Sequence, residues 1–234
     1  MKINPSFFLI PVLLAAPLAS GDMVSDLVGR AEKGELVAQL ELAAIYAKGE
    51  GVPKDNAAAA RWFLKAAEQG DANAQFILGQ RYSKDVAEAV KWFSKAAEQG
   101  HGEARMNLGG IYIAGKGVLK NSTEAAKWFL LSAEQGNPAA QCQIGRMHLT
   151  GAGVPKDDVE AYKWSNLASA QGNMAAKKVL VFLEKRMTPE QIAEGQKRSR
   201  DFLDRKSLEK TLVLPADLPA DLPADLPATP VEPE

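Results

Sequence analysis

Apolar and small positions recur along the chain in blocks that restart at Gly34, Gly70, Gly100, Gly136 and Gly172, spacings of 36, 30, 36 and 36 residues. Each block opens on a small residue (Ala38, Ala74, Ala104, Ala140), and four positions on stands Leu42, Leu78, Leu108 or Ile144. Four positions further comes Tyr46, Tyr82, Tyr112 or His148. Offsets of four share one helix face, so the row predicts a first helix with a buried stripe. A second helix is predicted around Trp62, Trp92, Trp128 and Trp164, with Ala66, Ala96, Ser132 and Ala168 four positions later. A large ring beside a small residue lets helices approach closely around the indole. One Trp per block at a fixed register reads as core rather than as a ligand-stacking set.

The turns agree with this division. Gly49-Glu50-Gly51-Val52, Gly115-Lys116-Gly117-Val118 and Gly151-Ala152-Gly153-Val154 supply glycine where a first helix must end in a left-handed residue. Asp55, Asn121 and Asp157 follow as capping side chains for the second helix. These glycines do not read as a phosphate cradle, since no strand precedes them and no Gly-Lys-Ser/Thr follows. The second block lacks six residues, passing from Tyr82 through Ser83-Lys84-Asp85 into its second helix, which predicts a tight turn and a local change in the stacking.

The series Ala-x-x-x-Leu-Gly-x-x-Tyr, Gly-x-Gly-Val, Trp and Ala-Ala-Glu-Gln-Gly resembles the Sel1-like repeat, a relative of the tetratricopeptide repeat with a longer turn. Gln75-Phe76-Ile77-Leu78-Gly79 with Trp92 and Ala96-Ala97-Glu98-Gln99-Gly100 carries the likeness most closely. The resemblance implies an all-α, right-handed α-solenoid of helix-turn-helix repeats, working as an adaptor that binds partners. His148 stands where the family pattern has Tyr, and a half-buried imidazole there would confer slight pH sensitivity or be a satisfied structural histidine.

A stack of repeats must cover its end faces. Met23, Leu27, Val28 and Ala31 predict an amphipathic helix ending at Gly34. Met174–Arg186 repeats the first-helix pattern with Ala176 and Leu180, and Thr188-Pro189-Glu190-Gln191 reads as a capping box. The helix it opens, to about Lys206, carries Ile192, Phe202 and Leu203 on its apolar side. The organisation expected is thus a leader at 1–21, a capping helix at 22–33, repeats at 34–69, 70–99, 100–135 and 136–171, capping helices at 172–210, and a tail at 211–234. The leader reading rests on Lys2, the apolar run Phe7 to Ala19 and the small residues Ala19-Ser20-Gly21, with cleavage after Gly21 or Ala19. It predicts export to the periplasm or beyond. About 13 apolar residues broken by Pro11 and Pro17 are too few for a membrane span, which needs roughly 20. In the tail Leu-Pro-Ala-Asp recurs from Leu214 to Asp225, and proline at every fourth position predicts a disordered, extended spacer or a displayed docking motif.

The net charge of -1 is uneven: residues 22–213 hold 27 Lys and Arg against 24 Asp and Glu, and residues 214–234 hold five acids and no base. With no clustered basic stripe, nucleic acid is a poor partner. Cys142 is the only cysteine, so no intramolecular disulfide forms and a small core or groove hydrophobe is the expected role. His101 and His148 are the only histidines, which leaves no metal-ligand set of recognisable spacing. No cofactor is called for, and the mature chain is expected to be monomeric.

On the tetratricopeptide register, Leu40, Phe76, Met106 and Cys142 form one inward row, with Gln80, Lys84 and Arg146 as polar neighbours. The row forms either a groove for a protein or peptide partner or packing against the adjacent helix. The competing reading is an exported envelope enzyme or a β-lactam- or peptidoglycan-binding protein of the Helicobacter Sel1-repeat type. Those proteins carry a cysteine pair per repeat, and this chain has neither such pairs nor a Ser-x-x-Lys, nucleophile elbow or paired His/carboxylate set in its repeats. The chain therefore reads as a binding protein without enzymatic activity.

Overall fold

A computed structural model describes residues 21–212, and every regular element among them is helical. The expected leader and tail lie outside the described residues, apart from Gly21, Thr211 and Leu212, which fall in helices. Helix α1 (Gly21–Glu32) is followed by four hairpins: α2 (Leu36–Lys48) with α3 (Asn56–Glu68), α4 (Ala72–Arg81) with α5 (Val86–Glu98), α6 (Gly102–Ala114) with α7 (Ser122–Glu134), and α8 (Pro138–Thr150) with α9 (Asp158–Ala170). Helices α10 (Met174–Glu184) and α11 (Pro189–Leu212) complete the chain. Each first helix packs on the second helix of its own hairpin and on that of the hairpin before, which makes a sequential stack.

Local chemistry places the breaks. Asp55, Asn121 and Asp157 accept hydrogen bonds from the first-turn amides of α3, α7 and α9. The N–H of each of these residues also donates to the carbonyl of Tyr46, Tyr112 or His148, locking the two helices of a hairpin together. In the short second hairpin the same bond runs from Asp85 N–H to Tyr82 at 2.8 Å, so the missing loop leaves that link intact. Gly117 and Gly153 show why the longer loop needs its second glycine. Both have positive φ, and a Cβ at Gly117 would strike Val86 at the start of α5, while one at Gly153 would strike the Ser122 carbonyl at the start of α7. The loop of one repeat is thereby laid against the second helix of the repeat before it.

The conserved-size row is buried throughout: Ala38, Ala74, Ala104 and Ala140, then Leu42, Leu78, Leu108 and Ile144, are at most 2% exposed. The tryptophan row is less uniform than its spacing predicts. Trp92 and Trp164 are buried, but Trp62 and Trp128 are only half-buried. The deeper ring is the next residue, Phe93 or Phe129, which faces the glycine after the first-helix leucine. A Cβ at Gly109 would lie 2.6 Å from Phe129 Cδ1, so glycine there sets how closely α6 and α7 approach. Tyr82 also departs from the expected core: it is 37% exposed, because α4 stops at Arg81 and leaves the ring at the helix end. Tyr46 and Tyr112 lie within longer helices and are half-buried.

The stack is also tied by a polar ladder between repeats. Buried Gln39, Gln75 and Gln141 donate Nε2–H to the carbonyls of Ala31, Ala67 and Ala133 at 3.0, 3.1 and 3.2 Å. These carbonyls lie in the last turns of the preceding helices, where each also accepts the N–H of the turn glycine Gly34, Gly70 or Gly136. The glutamine oxygens then accept from Gln69, Gln99 and Gln171 at 2.7–2.8 Å. In the third repeat Arg105 takes over, donating from Nε to Ala97 at 3.0 Å, and Gln135 turns instead to the Gly100 carbonyl.

At the front, Val24, Leu27 and Ala31 are buried on α2 while Met23 is 55% exposed. At the back, α11 runs to Leu212, beyond the limit near Lys206 read from the charge pattern, and it lies on α9. Thr188 and Gln191 bond reciprocally at 3.0 and 3.3 Å, a capping box that starts α11. Gly195 seats against Tyr162, Ser199 Oγ donates to the Lys163 carbonyl, and Phe202 meets Trp164 edge-on at 5.3 Å. Leu203 is 55% exposed and does not join this face.

Candidate functional site

The row expected to line a groove is divided by the structure. Phe76 is 9% exposed, stacks on His101 at 4.4 Å and packs against Phe93, so its ring belongs to the joint between the second and third repeats. Cys142 is buried against Ala168 and Ala176, and burial pushes its thiol above the usual range while Arg146 opposes. Leu40 is half-buried on the cluster formed by Ala66, Ala67 and Trp92. These three side chains are held by the next helix of the stack, the second of the two readings the sequence allows. Gln80, Lys84 and Arg146 are exposed and Met106 is half-buried.

Gln80 and Met106 do come together. They line a cleft of about 650 Å³ between α4, α5 and α6, with Phe93, Val86 and Ile111 in its apolar wall and Ser83, Asn107 and Lys116 at its polar edge. The six-residue deletion shapes this place: α4 ends early, its turn is short, and the α6–α7 loop reaches over to Val86. Gly110 also lines the cleft, and nothing lies within 4 Å of the Cβ position there, so the cleft continues over the backbone of α6. Asn107, Gly110 and Ile111, one, four and five positions after Met106, were not legible as site residues, because they carry no pattern that repeats from block to block. A smaller hollow of about 130 Å³ occupies the equivalent joint one repeat earlier, beside Phe63, Ile77 and Arg81.

His101 gives the same joint a titratable part. Its Nδ1 accepts the Ala104 N–H at 3.2 Å and caps α6, a role taken by Asp71, Asn137 and Asn173 in α4, α8 and α10. Burial pushes its imidazole below the usual range, opposed by the Glu103 carboxylate, and protonation also forfeits the capping acceptor. Below the unfolded value near 6.5 the unfolded chain takes up a proton that the folded chain resists, so stability falls as pH falls. Thermal unfolding should therefore shift downward between about pH 7 and 5.5, and His101→Asn, which keeps a cap but cannot titrate, should flatten that dependence. His148 is half-buried, with Nδ1 3.2 Å from the Pro155 carbonyl.

Among the described residues no three His, Cys, Asp or Glu side chains gather as a metal would need, and no helix is long and apolar enough to cross a membrane.

The chain matches the Sel1 repeat over residues 36–71, 72–101, 102–137 and 138–173. Its structure is similar to that of c5321, a protective antigen present in uropathogenic Escherichia coli strains displaying an SLR fold. The two share 35% identity with a TM-score of 0.68, over 87% of this chain and 46% of that one. A Sel1 repeat protein from Oxalobacter formigenes is similar at 35% identity and a TM-score of 0.63, over 69% of this chain and 48% of that one. The matched part is thus less than half the length of either. No curated protein matches the chain.

Proposed function

Because this chain belongs to the Sel1 repeat family, whose members generally serve as protein-interaction scaffolds, we propose that it binds a protein or peptide partner in the cleft of α4, α5 and α6. The observation that carries this reading is the cleft itself: an apolar floor of Phe93, Met106 and Ile111 beside the amides of Gln80 and Asn107. Such a surface takes an extended segment, apolar side chains entering the floor while the amides meet its backbone. No catalytic step is assigned to it. The chain is proposed to act in the cell envelope or outside the cell, after export through residues 1–21. Fractionating cells that express the chain with and without that segment checks the location.

Gly110 supplies a clean test of the site. Gly110→Phe plugs the cleft from a position with open space above it, and it removes a helical glycine. Photo-crosslinking from Asn107 identifies the bound partner, and Gly110→Phe should weaken its capture at least about tenfold while the melting temperature holds or rises. Full capture by a folded Gly110→Phe chain would sink the assignment.

A further inference from the structure

The smaller hollow and the larger cleft flank one helix. Ile77, Leu78 and Arg81 of α4 line the hollow of about 130 Å³, while Gly79, Gln80 and the following Ser83 line the cleft of about 650 Å³. Corresponding rings, Phe63 and Phe93, give each an apolar wall. No carboxylate lines either one, and their charged members are Arg81 and Lys116. Lys84 stands in the short turn directly after Ser83. Arg81, Lys84 and Lys116 are all exposed, and none forms an ion pair among the described residues, unlike Lys91, Lys127 and Lys163 on the second helices.

The nearby acids are engaged or lie elsewhere. Asp55 and Asp85 accept the first-turn amides of α3 and α5, and Glu88 pairs with Lys91. Glu103 stands one turn before Asn107, at the end of α6 away from Lys116. The turn end of this joint therefore sets three unneutralised cations around two apolar depressions, which favours a ligand bearing carboxylates and rejects one bearing bases.

The spacing fixes how such a ligand runs. A helix with its side chains is about 10–12 Å across, so the two depressions are about that far apart over α4. An extended chain advances about 3.3 Å per residue and turns alternate side chains to one face, so residues four positions apart point the same way about 13 Å apart. Such a pair straddles α4. The side chain midway between them points down onto the end of α4, where Arg81 and Lys84 stand, and the one two positions beyond the cleft points to the Lys116 side.

We propose that the partner is an extended peptide segment with two bulky apolar side chains four positions apart, one entering the hollow and the other the cleft. An Asp or Glu midway between them meets Arg81 and Lys84, and a second acid two positions further meets Lys116. The proposal rests on the reading of the cleft as a partner site and names the chemistry of what enters it.

The test selects short random peptides, displayed on phage, against the full chain at low ionic strength. Enriched peptides should carry the apolar pair with acids between and beyond it and should be depleted of Lys and Arg. A synthetic peptide of the enriched pattern should then lose at least about tenfold in affinity for Lys84→Glu with Lys116→Glu, a loss that shrinks as salt rises. The melting temperature of that variant should hold, since neither lysine has an ion-pair partner to lose among the described residues. Replacing the acids of the peptide by their amides should weaken binding to the native chain by a similar factor and change binding to the charge-reversed chain little. Enrichment of apolar peptides without acids, abolished by Gly110→Phe, overturns the proposal and leaves the partner site standing. Absent enrichment, or enrichment indifferent to Gly110→Phe, overturns both. Self-association of the chain in sedimentation, abolished by Gly110→Phe, also overturns the proposal, in favour of a second copy as the occupant.

Discussion

Phe129→Ala should lower the free energy of unfolding by about 3–5 kcal/mol, the range for large aromatic truncations in well-packed interiors. Phe129 is 2% exposed and joins the cluster that runs from Ala125 and Ala126 in α7 through Ile144 in α8 to Trp164 in α9. The cavity opens in the middle of the stack, where α6 and α8 both lean on α7, so neither neighbour can collapse into it without breaking its own contacts. Trp128→Ala should cost less, because that indole is only half-buried. Chemical denaturation of both variants checks the order. A Trp128 variant less stable than the Phe129 variant would mean that the tryptophans, not the phenylalanines beside them, carry the joint.

Gly109→Ala should destabilise the chain by about 1–2 kcal/mol in the native background and stabilise it, by up to about 1 kcal/mol, once Phe129 is Ala. Two effects of opposite sign meet at this position. The added methyl would lie 2.6 Å from Phe129 Cδ1, well inside ordinary contact, so α6 and α7 must part or the ring must leave its place. Alanine in a helix interior is, however, favoured over glycine by about 0.8–1 kcal/mol. Removing the ring removes the first effect and leaves the second, so a double-mutant cycle reads their difference directly. Equal effects of Gly109→Ala in the two backgrounds would show that glycine here has no part in setting the approach of the helices.

These two residues mark how far the sequence could be read. The glycine row and the Trp-Phe pairs are visible in it, but which ring of each pair points at the glycine is a matter of one residue, or about 100° around a helix. Four-residue spacing alone gave preference to the tryptophan because it is the larger. The same angular sensitivity explains the site. Phe76, Gln80 and Met106 were grouped by register, and the structure turns the Phe76 ring inward onto His101 while Gln80 and Met106 face open space. Lining residues such as Asn107 and Gly110 carry no pattern of their own, since an open surface imposes no periodicity on the residues that border it.

The glutamine ladder was missed for a different reason. Gln39, Gln75 and Gln141 look like ordinary polar positions in a helix, and Arg105 breaks their identity in the third repeat. Their partners are helix-end carbonyls eight residues back, which come within reach only when the next helix has been laid across them.

By itself the sequence determined that the chain is a stack of helical hairpins of the Sel1 type, because helix periodicity, capping side chains and turn glycines are local constraints written within each repeat. It also located the one irregular repeat, since a six-residue deletion can be counted. Only the tertiary structure decided which face of each helix is sealed by the next one, where the shortened repeat leaves a cleft, and that α11 closes the stack upon α9. Those outcomes depend on how neighbouring repeats are rotated against each other, and that rotation follows from packing summed over whole interfaces rather than from any single residue.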